Sequence, residues 1–207
     1  MSLLPIFVKL AGRPCLLIGA GEVALQKIPP LLAAEARLRV VAPRIRPEIA
    51  AFASQGRIAV LEREYTDSDL DNTFLVIAAT DNPAVNAAVY RGAVERNMLC
   101  NSVDDPPHCD FYFGSIVTRG DLQIAISTAG ESPALSQRLR HEIDEQLPTD
   151  LGPWLHSLGE LRREVLTAQP ASEQRKLLLH QLAQREVCDS AECSARKFAL
   201  ESKELFA

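Results

Sequence analysis

The fold is decided by one stretch near the start of the chain, CLLIGAGEVALQK at residues 15–27. A short apolar run ends in two glycines spaced G-x-G, Gly19 and Gly21, and passes into residues that favour a helix. This order predicts a strand, a tight turn and a helix start. With Ala24 it forms the G-x-G-x-x-A dinucleotide fingerprint, in which phosphates lie against the free N–H groups of the helix start. Alone the motif is weak, because many glycine-rich turns bind nothing.

The residues that follow complete a β-α-β unit. A helix is predicted over residues 22–34, although Pro29-Pro30 should break or kink it, and Arg37–Ala42 is predicted as the second strand. An acidic residue commonly ends this strand and binds the ribose 2′-hydroxyl, whereas here the strand ends in Ala42-Pro43-Arg44. Arg44 is either a contact for a 2′-phosphate or a solvated surface charge. The residues alone therefore leave NAD and NADP both open.

The alternation of strands and helices continues to about residue 103. Such alternation predicts a parallel sheet with helices on both faces. Ligands of these sheets bind beyond the carboxyl ends of the strands, so the Gly19 turn and residues 42–44 and 80–82 are expected to line one crevice. The further predicted elements are a helix at 46–54, strands at 58–61 and 74–79, a helix at 84–96 and a strand at 98–103.

The pattern changes after residue 110. Two strand-like runs, 111–117 and 122–128, are joined by Arg119-Gly120-Asp121 and predict a hairpin. Ser132 fits the N-cap and Pro133 the first position of a helix that ends near residue 147. Helical periodicity then continues from residue 151, and the last residues, from about 186, are expected to be partly disordered.

The sequence therefore predicts an α/β protein in three parts. A Rossmann-like parallel-sheet domain covers residues 1–113, a small α+β segment covers 114–147, and a helical domain covers 148–207.

Composition narrows the class of protein. A net charge of −5 and a pI near 5.4, with no basic cluster, argue against nucleic-acid binding. No apolar run approaches a membrane span and no leader is recognisable, so a cytoplasmic protein away from the membrane is expected. The five cysteines are an odd number and lack paired C-x-x-C spacing, so neither a disulfide framework nor a metal site is expected. The alternative metal ligands are Cys100 with His108-Cys109, or Cys188 with Cys193. Cys15 and Cys100 are expected in the core.

An ordered set of motifs resembles the precorrin-2 dehydrogenase family. That family includes the N-terminal module of siroheme synthase and free-standing enzymes that convert precorrin-2 to sirohydrochlorin. The resemblance is strongest over residues 1–150, and no methyltransferase module follows, so the stand-alone form is expected. The motifs are Leu4-Pro5-Ile6-Phe7, residues 15–27, Ala78-Ala79-Thr80-Asp81 with Asn86, Cys100-Asn101-Ser102-Val103-Asp104, and Ser127-Thr128-Ala129-Gly130-Glu131-Ser132-Pro133.

The resemblance implies oxidation of precorrin-2, a tetrapyrrole, with NAD as the hydride acceptor. It also implies a homodimer in which a dimerisation segment, residues 114–147, exchanges between subunits. The family generally lacks an acid after the second strand, so its absence here favours NAD. Two alternatives are a bifunctional enzyme that also inserts Fe²⁺ into sirohydrochlorin, and a non-catalytic module that binds NAD or a tetrapyrrole. The implied cofactor contacts are Gly19, Gly21, Glu22, Val23, Pro43, Arg44 and Thr80.

The family's candidate acid-base residue corresponds to Asp104. The position suits that role, since Asp104 follows a buried strand at the ligand edge and a carboxylate there can accept a proton. The alternative interpretation is that Asp104 or Asp105 caps the Pro106-Pro107 turn. His108 is either a base or metal contact, or simply an exposed loop residue.

The expected substrate contacts lie in two motifs. Asn101 precedes Asp104, and Thr128 occupies a position where family members often carry serine. The backbone N–H groups of Gly130 to Ser132 open a helix and are expected to bind an acetate or propionate of the substrate. Arg138 and Arg140 either bind a carboxylate as well or are solvated.

Overall fold

A computed structural model describes residues 3–184, and the chain divides into two compact units, Leu3–Phe113 and a second that starts at Gly114. The tail expected to be disordered, from about residue 186, lies outside the described residues. In the first unit the elements are β1 (Pro14–Ile18), α1 (Glu22–Ala33), β2 (Arg37–Ala42), α2 (Pro47–Ser54), β3 (Ala59–Glu62), β4 (Leu75–Ala78), α3 (Pro83–Glu95) and β5 (Leu99–Ser102).

The five strands form one parallel sheet in the order β3-β2-β1-β4-β5. The chain builds β1 to β3 on one side, then returns past β1 to add β4 and β5 on the other. Ile18 at the end of β1 is in register with Val41 and with Ala78, so three strands end at one level. The predicted Rossmann-like α/β fold is thereby confirmed, and the change of direction lies between β1 and β4, where such sheets bind ligands.

The strand β1 is apolar throughout because both faces of the sheet are covered. Cys15 and Leu17 pack on one face with Ala24 and Ile28 of α1. Leu16 and Ile18 pack on the opposite face, in the cluster that holds residues of α3. The expected core position of Cys15 and Cys100 is confirmed, since both side chains are buried.

Pro29-Pro30 were expected to break or kink α1, and the break is wrong, since the helix runs as one element through both prolines to Ala33. Each proline removes a helical N–H donor, which favours a break. Both are exposed, however, and the opposite face of the same turns buries Ile28 and Leu31 in the core. Tertiary packing therefore outweighs the local preference.

The second unit opens with a hairpin of β6 (Ser115–Arg119) and β7 (Leu122–Ile126). The first strand begins four residues later than the predicted 111, because Cys109 and Asp110 pair back onto β5 instead. Up to residue 184, three helices follow, α4 (Pro133–Gln146), α5 (Leu151–Ala168) and α6 (Glu173–Leu182). Ser132 caps α4 as predicted, its Oγ accepting from the N–H of Leu135 at 3.2 Å.

Between residues 3 and 184, no helix has the length and hydropathy needed to cross a membrane.

Candidate functional site

The Gly19 turn is locked between three strands at the carboxyl edge of the sheet. Gly19 has φ +104°, which favours glycine, and its N–H donates to the Val41 carbonyl oxygen at 2.9 Å. A Cβ at this position would clash with the carbonyl oxygen of Ala79, just beyond β4. Only glycine therefore allows the turn and the neighbouring strand to approach so closely.

Gly21 leaves open space at the start of α1. A Cβ there would meet no atom within 4 Å, and Gly21 is an N-cap without a side-chain hydrogen bond. The first helical bond runs from Leu25 N–H to the Gly21 carbonyl at 3.0 Å, so the N–H groups of Glu22, Val23 and Ala24 have no partner among the described residues. Free donors beside open space at a positive helix end fit the pyrophosphate of a dinucleotide.

The segment after β2 places two arginines near this helix start. Pro43 and Arg44 are exposed, and Arg44 makes no hydrogen bond or ion pair within the described part of the chain. Arg46 binds two carboxylates, with Nη1 3.1 Å from Glu22 Oε2 and Nη2 3.0 Å from Glu48 Oε1. The Glu22 side chain is thus engaged with Arg46, a contact that sequence reasoning missed because nothing marks Arg46 among the surface arginines.

The turn after β4 is held by a buried amide. Asn86 on α3 is 8% exposed; it accepts from the Thr80 hydroxyl at 2.6 Å and donates from Nδ2 to the Thr80 carbonyl at 3.1 Å. Asn82 caps α3 by accepting from the Ala84 N–H at 3.0 Å. Asn86 therefore positions Thr80 at the ligand edge. The sequence identified Asn86 only as part of a family motif and did not predict its contact with Thr80.

Asp104 lies two residues beyond β5 and is exposed, with φ +59° in the left-handed region. Its carboxylate makes no hydrogen bond within residues 3–184. Its charge acts on Lys27 of α1, whose pKa is lowered by burial and partly restored by Asp104. The Lys27 Nζ lies 4.3 Å from the centroid of the Phe113 ring.

The turn of Pro106–His108 uses Asp105, not Asp104. Asp105 is the N-cap residue, and its Oδ2 lies 2.6 Å from His108 Nδ1. The His108 ring also contacts Tyr90, with ring centroids 4.5 Å apart. Asp104 is thus free of the capping role that was one of its two interpretations, while His108 is held by a neighbouring carboxylate and an aromatic ring.

Asn101 shapes the loop that carries these side chains. It is 6% exposed, and its Nδ2 donates to the Phe111 carbonyl at 2.8 Å and to Cys109 Sγ at 3.4 Å. Asp110 reinforces the same fold-back by accepting from the Cys100 N–H at 2.9 Å. A substrate contact for Asn101 remains a prediction, since the donors of its side chain are engaged in the loop.

The three cysteines among residues 3–184, Cys15, Cys100 and Cys109, are free thiols, and Cys188 and Cys193 lie outside the described residues. Burial raises the pKa of Cys15 to about 11, and burial with the Asp110 charge raises the pKa of Cys100 to about 12. Across the described ranges no group of three or more histidines, cysteines or carboxylates is arranged to hold a metal ion.

In the second unit, most backbone N–H groups of the turn before α4 donate hydrogen bonds within the turn itself. The Ser132 N–H donates to Thr128 Oγ1 at 3.2 Å, and the Glu131 N–H donates to the Thr128 carbonyl at 2.9 Å. Of the three N–H groups expected to bind a carboxylate, only that of Gly130 lacks a partner among the described residues, and a Cβ on Gly130 would meet nothing within 4 Å. Arg138 is paired with Glu142 at 3.1 Å.

Comparison with known proteins agrees with this geometry. A family model described as "Putative NAD(P)-binding" matches residues 6–115, and one described as "Sirohaem biosynthesis protein central" matches residues 119–146. Siroheme synthase 2 of Aeromonas salmonicida is 46% identical over 78% of this chain and 33% of its own length. Siroheme synthase 1 of Serratia proteamaculans is 42% identical over 80% of this chain and 35% of its own length. The chain thus spans about a third of the length of these curated relatives.

A solved structure covers nearly the whole chain. The protein described as "SirC, precorrin-2 dehydrogenase" matches with a TM-score of 0.82 and 25% identity, over 98% of this chain and 100% of that one. The first family model spans more than half of the chain and contains the glycine turn, Thr80 and Asp104. The chain has an NAD(P)-binding domain and belongs to the precorrin-2 dehydrogenase family, which includes the corresponding module of siroheme synthases.

Proposed function

We propose that this protein oxidises precorrin-2 to sirohydrochlorin with NAD as the hydride acceptor. The observation that carries the proposal is the likeness to the SirC dehydrogenase, which extends over almost all of both chains. The glycine turn and Asp104 support it, because they lie at the same carboxyl edge of one parallel sheet.

The cofactor would be held by the start of α1. The free N–H groups of Glu22 and Val23 suit its pyrophosphate, and Gly21 leaves room for close approach of the backbone. Thr80, fixed by Asn86, suits a contact from the next strand. When bound, NAD supplies the hydride acceptor. The protein contributes by orienting the cofactor, because the backbone N–H donors at the start of α1 are already in place at the carboxyl edge of the sheet.

NAD is favoured over NADP by the balance of charge after β2. Arg46 is neutralised by Glu22 and Glu48, so the guanidinium of Arg44 is the one cation at this edge without a described partner. A 2′-phosphate carries about two negative charges and would lie beside two carboxylates. The unpaired Arg44 alone offers weak compensation, since it is exposed and screened by solvent.

Asp104 is the proposed proton acceptor. Oxidation of the tetrapyrrole removes a hydride and a proton, and the proton needs a base at the substrate. The Asp104 carboxylate makes no hydrogen bond within the described chain, so both of its oxygens are available. Asp105 and Asp110 are less suited because each already accepts a hydrogen bond in the loop.

The substrate carries acetate and propionate groups, which need donors of hydrogen bonds. We assign the Gly130 N–H and the Thr128 to Ser132 turn to one of these carboxylates. Asn101 is assigned to substrate binding because its hydrogen bond to the Phe111 carbonyl shapes the loop that carries Asp104. We also infer a homodimer with exchange of residues 114–147, from the family resemblance; light scattering of the purified protein at the mass of a monomer would contradict it.

The test supplies purified protein with precorrin-2 and NAD. We expect sirohydrochlorin and NADH in equal amounts, and a lower KM for NAD than for NADP. Absence of both products at saturating substrate would contradict the dehydrogenase. Tight binding of NAD or tetrapyrrole without NADH would identify the non-catalytic alternative.

Metal insertion is a second candidate, favoured by the His108–Asp105 pair at 2.6 Å in the loop that carries Asp104. An imidazole held by a carboxylate can take pyrrole protons as a metal enters. Sirohydrochlorin with Fe²⁺ or Co²⁺ would be converted faster than in the protein-free control, and His108→Ala would slow it. A rate equal to the control would exclude this activity.

A further inference from the structure

We propose that Glu22, held by Arg46, replaces the acid that β2 lacks and selects NAD over NADP by accepting a hydrogen bond from the ribose 2′-hydroxyl. The inference rests on the proposed function and deepens it, because it names the side chain that recognises the adenosine half of the cofactor. Sequence reasoning looked for this acid only after the second strand and found Ala42-Pro43-Arg44 there.

The first step is the location of the ribose. In this kind of fold the pyrophosphate lies at the start of the first helix, and an acid at the end of the second strand binds the ribose 2′-hydroxyl. Here α1 starts at Glu22 and β2 ends at Ala42. The strands β1 and β2 are neighbours, with Ile18 in register with Val41, so the chain leaves both strands at one level of the sheet. The ribose site therefore lies within reach of side chains from both segments.

The second step is the ion pair that joins these two segments. Arg46 Nη1 lies 3.1 Å from Glu22 Oε2, so the carboxylate at the start of α1 is held against the segment after β2. The guanidinium is itself seated on the protein, since its Nη2 lies 3.0 Å from Glu48 Oε1 and its Nε is shielded from solvent. Among residues 3–184, the second oxygen of Glu22, Oε1, has no partner. The carboxylate is thus held through one oxygen and open to a ligand through the other.

The third step is the charge that a 2′-phosphate would meet. A phosphate in place of the 2′-hydroxyl adds about two negative charges at pH 7. It would lie beside two carboxylates whose common cation, Arg46, is already paired with both. A free hydroxyl instead donates a hydrogen bond to a carboxylate. The Glu22 carboxylate thus attracts NAD and repels NADP, which combines a favourable contact with an unfavourable one.

The main experiment measures the Kd of NAD and of NADP by isothermal titration calorimetry of the purified full chain, without tetrapyrrole. Wild type should bind NAD at least about 10-fold more tightly than NADP. In Glu22→Gln the ratio should shift toward NADP by about 10–100-fold, because this variant removes the acceptor charge and frees Arg46 Nη1 for the phosphate. A ratio within about twofold of wild type would overturn the inference, and so would a wild type that prefers NADP.

A second probe changes the ligand instead of the protein. NAD without the adenosine 2′-hydroxyl should bind wild type about 10-fold more weakly than NAD, because the Glu22 carboxylate is left without its donor. In Glu22→Gln the difference between these two ligands should narrow to about threefold or less, since a neutral amide accepts a weaker hydrogen bond. Equal binding of both ligands to wild type would overturn the inference.

A double variant tests whether the gain in NADP binding comes from Arg46. Arg46→Met alone should weaken NAD, since Glu22 loses the group that holds it, and should not improve NADP. In Glu22→Gln/Arg46→Met the NADP affinity gained in Glu22→Gln should be lost. An NADP affinity that stays raised in the double variant would assign the gain to Arg44 and overturn the role of Arg46.

The matched control is Asp67→Asn, which also removes one negative charge from an arginine held by two carboxylates. Arg96 Nη2 lies 2.7 Å from Asp67 Oδ2, and its Nε lies 3.3 Å from Asp71 Oδ1. The Asp67 side chain is 64% exposed, against 62% for Glu22. This cluster precedes β4 and β5, at the opposite edge of the sheet, so both Kd values should stay unchanged. An equal shift in both variants would assign the effect to net charge and overturn the inference.

Binding and turnover separate the inference from the proposed oxidation. Wild-type protein that binds NAD but yields no NADH from precorrin-2 would contradict the proposed function alone, since the titrations need no tetrapyrrole. An active wild type whose affinities are unchanged in Glu22→Gln would contradict only this inference.

Discussion

Asp69 and Asp104 both lie in the first unit, but their carboxylates have very different surroundings. Asp69 is 3% exposed and receives hydrogen bonds from Arg63 at 2.8 Å and from the Thr66 N–H at 2.9 Å. Asp104 is exposed, has no hydrogen bond within the described chain and has a left-handed backbone. A carboxylate that is saturated with hydrogen-bond donors stabilises structure, whereas one without such donors is available for chemistry.

The pKa of Asp69 follows from this saturation. Hydrogen bonds from the Arg63 guanidinium are the largest cause, and together with Thr66 they outweigh burial and lower the pKa of Asp69 to about 2. Arg39 donates to the Asp69 carbonyl, which joins β2 to the same turn. The whole cluster is engaged in holding the 67–70 turn against the sheet.

The largest expected effect on activity is that of replacing Asp104. Asp104→Asn should lower kcat about 10²–10⁴-fold, because it removes the proposed proton acceptor. The midpoint of thermal unfolding and the Kd for NAD should stay unchanged, since the side chain makes no hydrogen bond within residues 3–184. Steady-state kinetics, calorimetry and NAD titration measure the three quantities.

A control for that variant is Asp71→Asn, which removes an exposed ion pair with Arg96. Such pairs contribute about 0–1 kcal/mol, so both activity and stability should remain near wild type. Wild-type turnover by Asp104→Asn would show that another group accepts the proton.

Replacing Asp69 should lower the stability of the fold and leave the activity unchanged, which is the opposite of the result expected for Asp104. Asp69→Asn should lower the free energy of unfolding by about 2 kcal/mol, the value that corresponds to its lowered pKa. At a temperature where the variant is folded, kcat should match wild type. Urea unfolding measures the loss, and a variant as stable as wild type would contradict the structural role of the cluster.

Acid should remove the contribution of the Asp69 carboxylate to stability. Asp69 has a lower pKa in the folded state than the usual value of about 3.9 for unfolded chains, so its contribution is fully present above about pH 4. It is lost as the pH falls from about 4 toward 2. Urea unfolding at pH 5, 3 and 2 should therefore show a steeper loss in wild type than in Asp69→Asn; parallel curves would contradict the assignment.

The smallest expected effect is that of Arg63→Met. The Arg63 side chain is 43% exposed, so solvent screens its ion pair and the expected loss of stability is smaller than that of Asp69→Asn. Thr66 continues to hold the Asp69 carboxylate in this variant. A loss larger than that of Asp69→Asn would mean that Arg63 has a further structural partner.

Much of the first unit could be predicted from local pattern. The strand at Arg37–Ala42 was predicted with its observed bounds, and the glycine spacing correctly predicted the turn at Gly19. The hairpin was predicted correctly, but its first strand began too early. Phe111-Tyr112-Phe113 are aromatic residues that favour a strand, as the prediction assumed. Only the pairing of Cys109 with Asn101, and the hydrogen bond from Asn101 to the Phe111 carbonyl, assign this segment to the earlier loop.

The candidate site was predictable in its backbone parts and less so in its side-chain contacts. Asp104 and the Thr128 turn were marked by family motifs, and their roles remain predictions. Arg46, which engages Glu22, and Asn86, which fixes Thr80, emerged only with the structure. Each joins segments whose proximity depends on strand order, and no local pattern encodes that order.

The sequence by itself determined where the chain turns and which faces are apolar, because glycine spacing, caps and hydrophobic periodicity are local properties. It thereby determined an α/β fold with a dinucleotide turn at one edge. Only the tertiary structure decided that α1 continues through Pro29-Pro30, that the Asp69 carboxylate is saturated with hydrogen bonds and that Asp104 is exposed. The physical reason is that burial and charge at a residue depend on groups brought close by packing, which are distant along the chain.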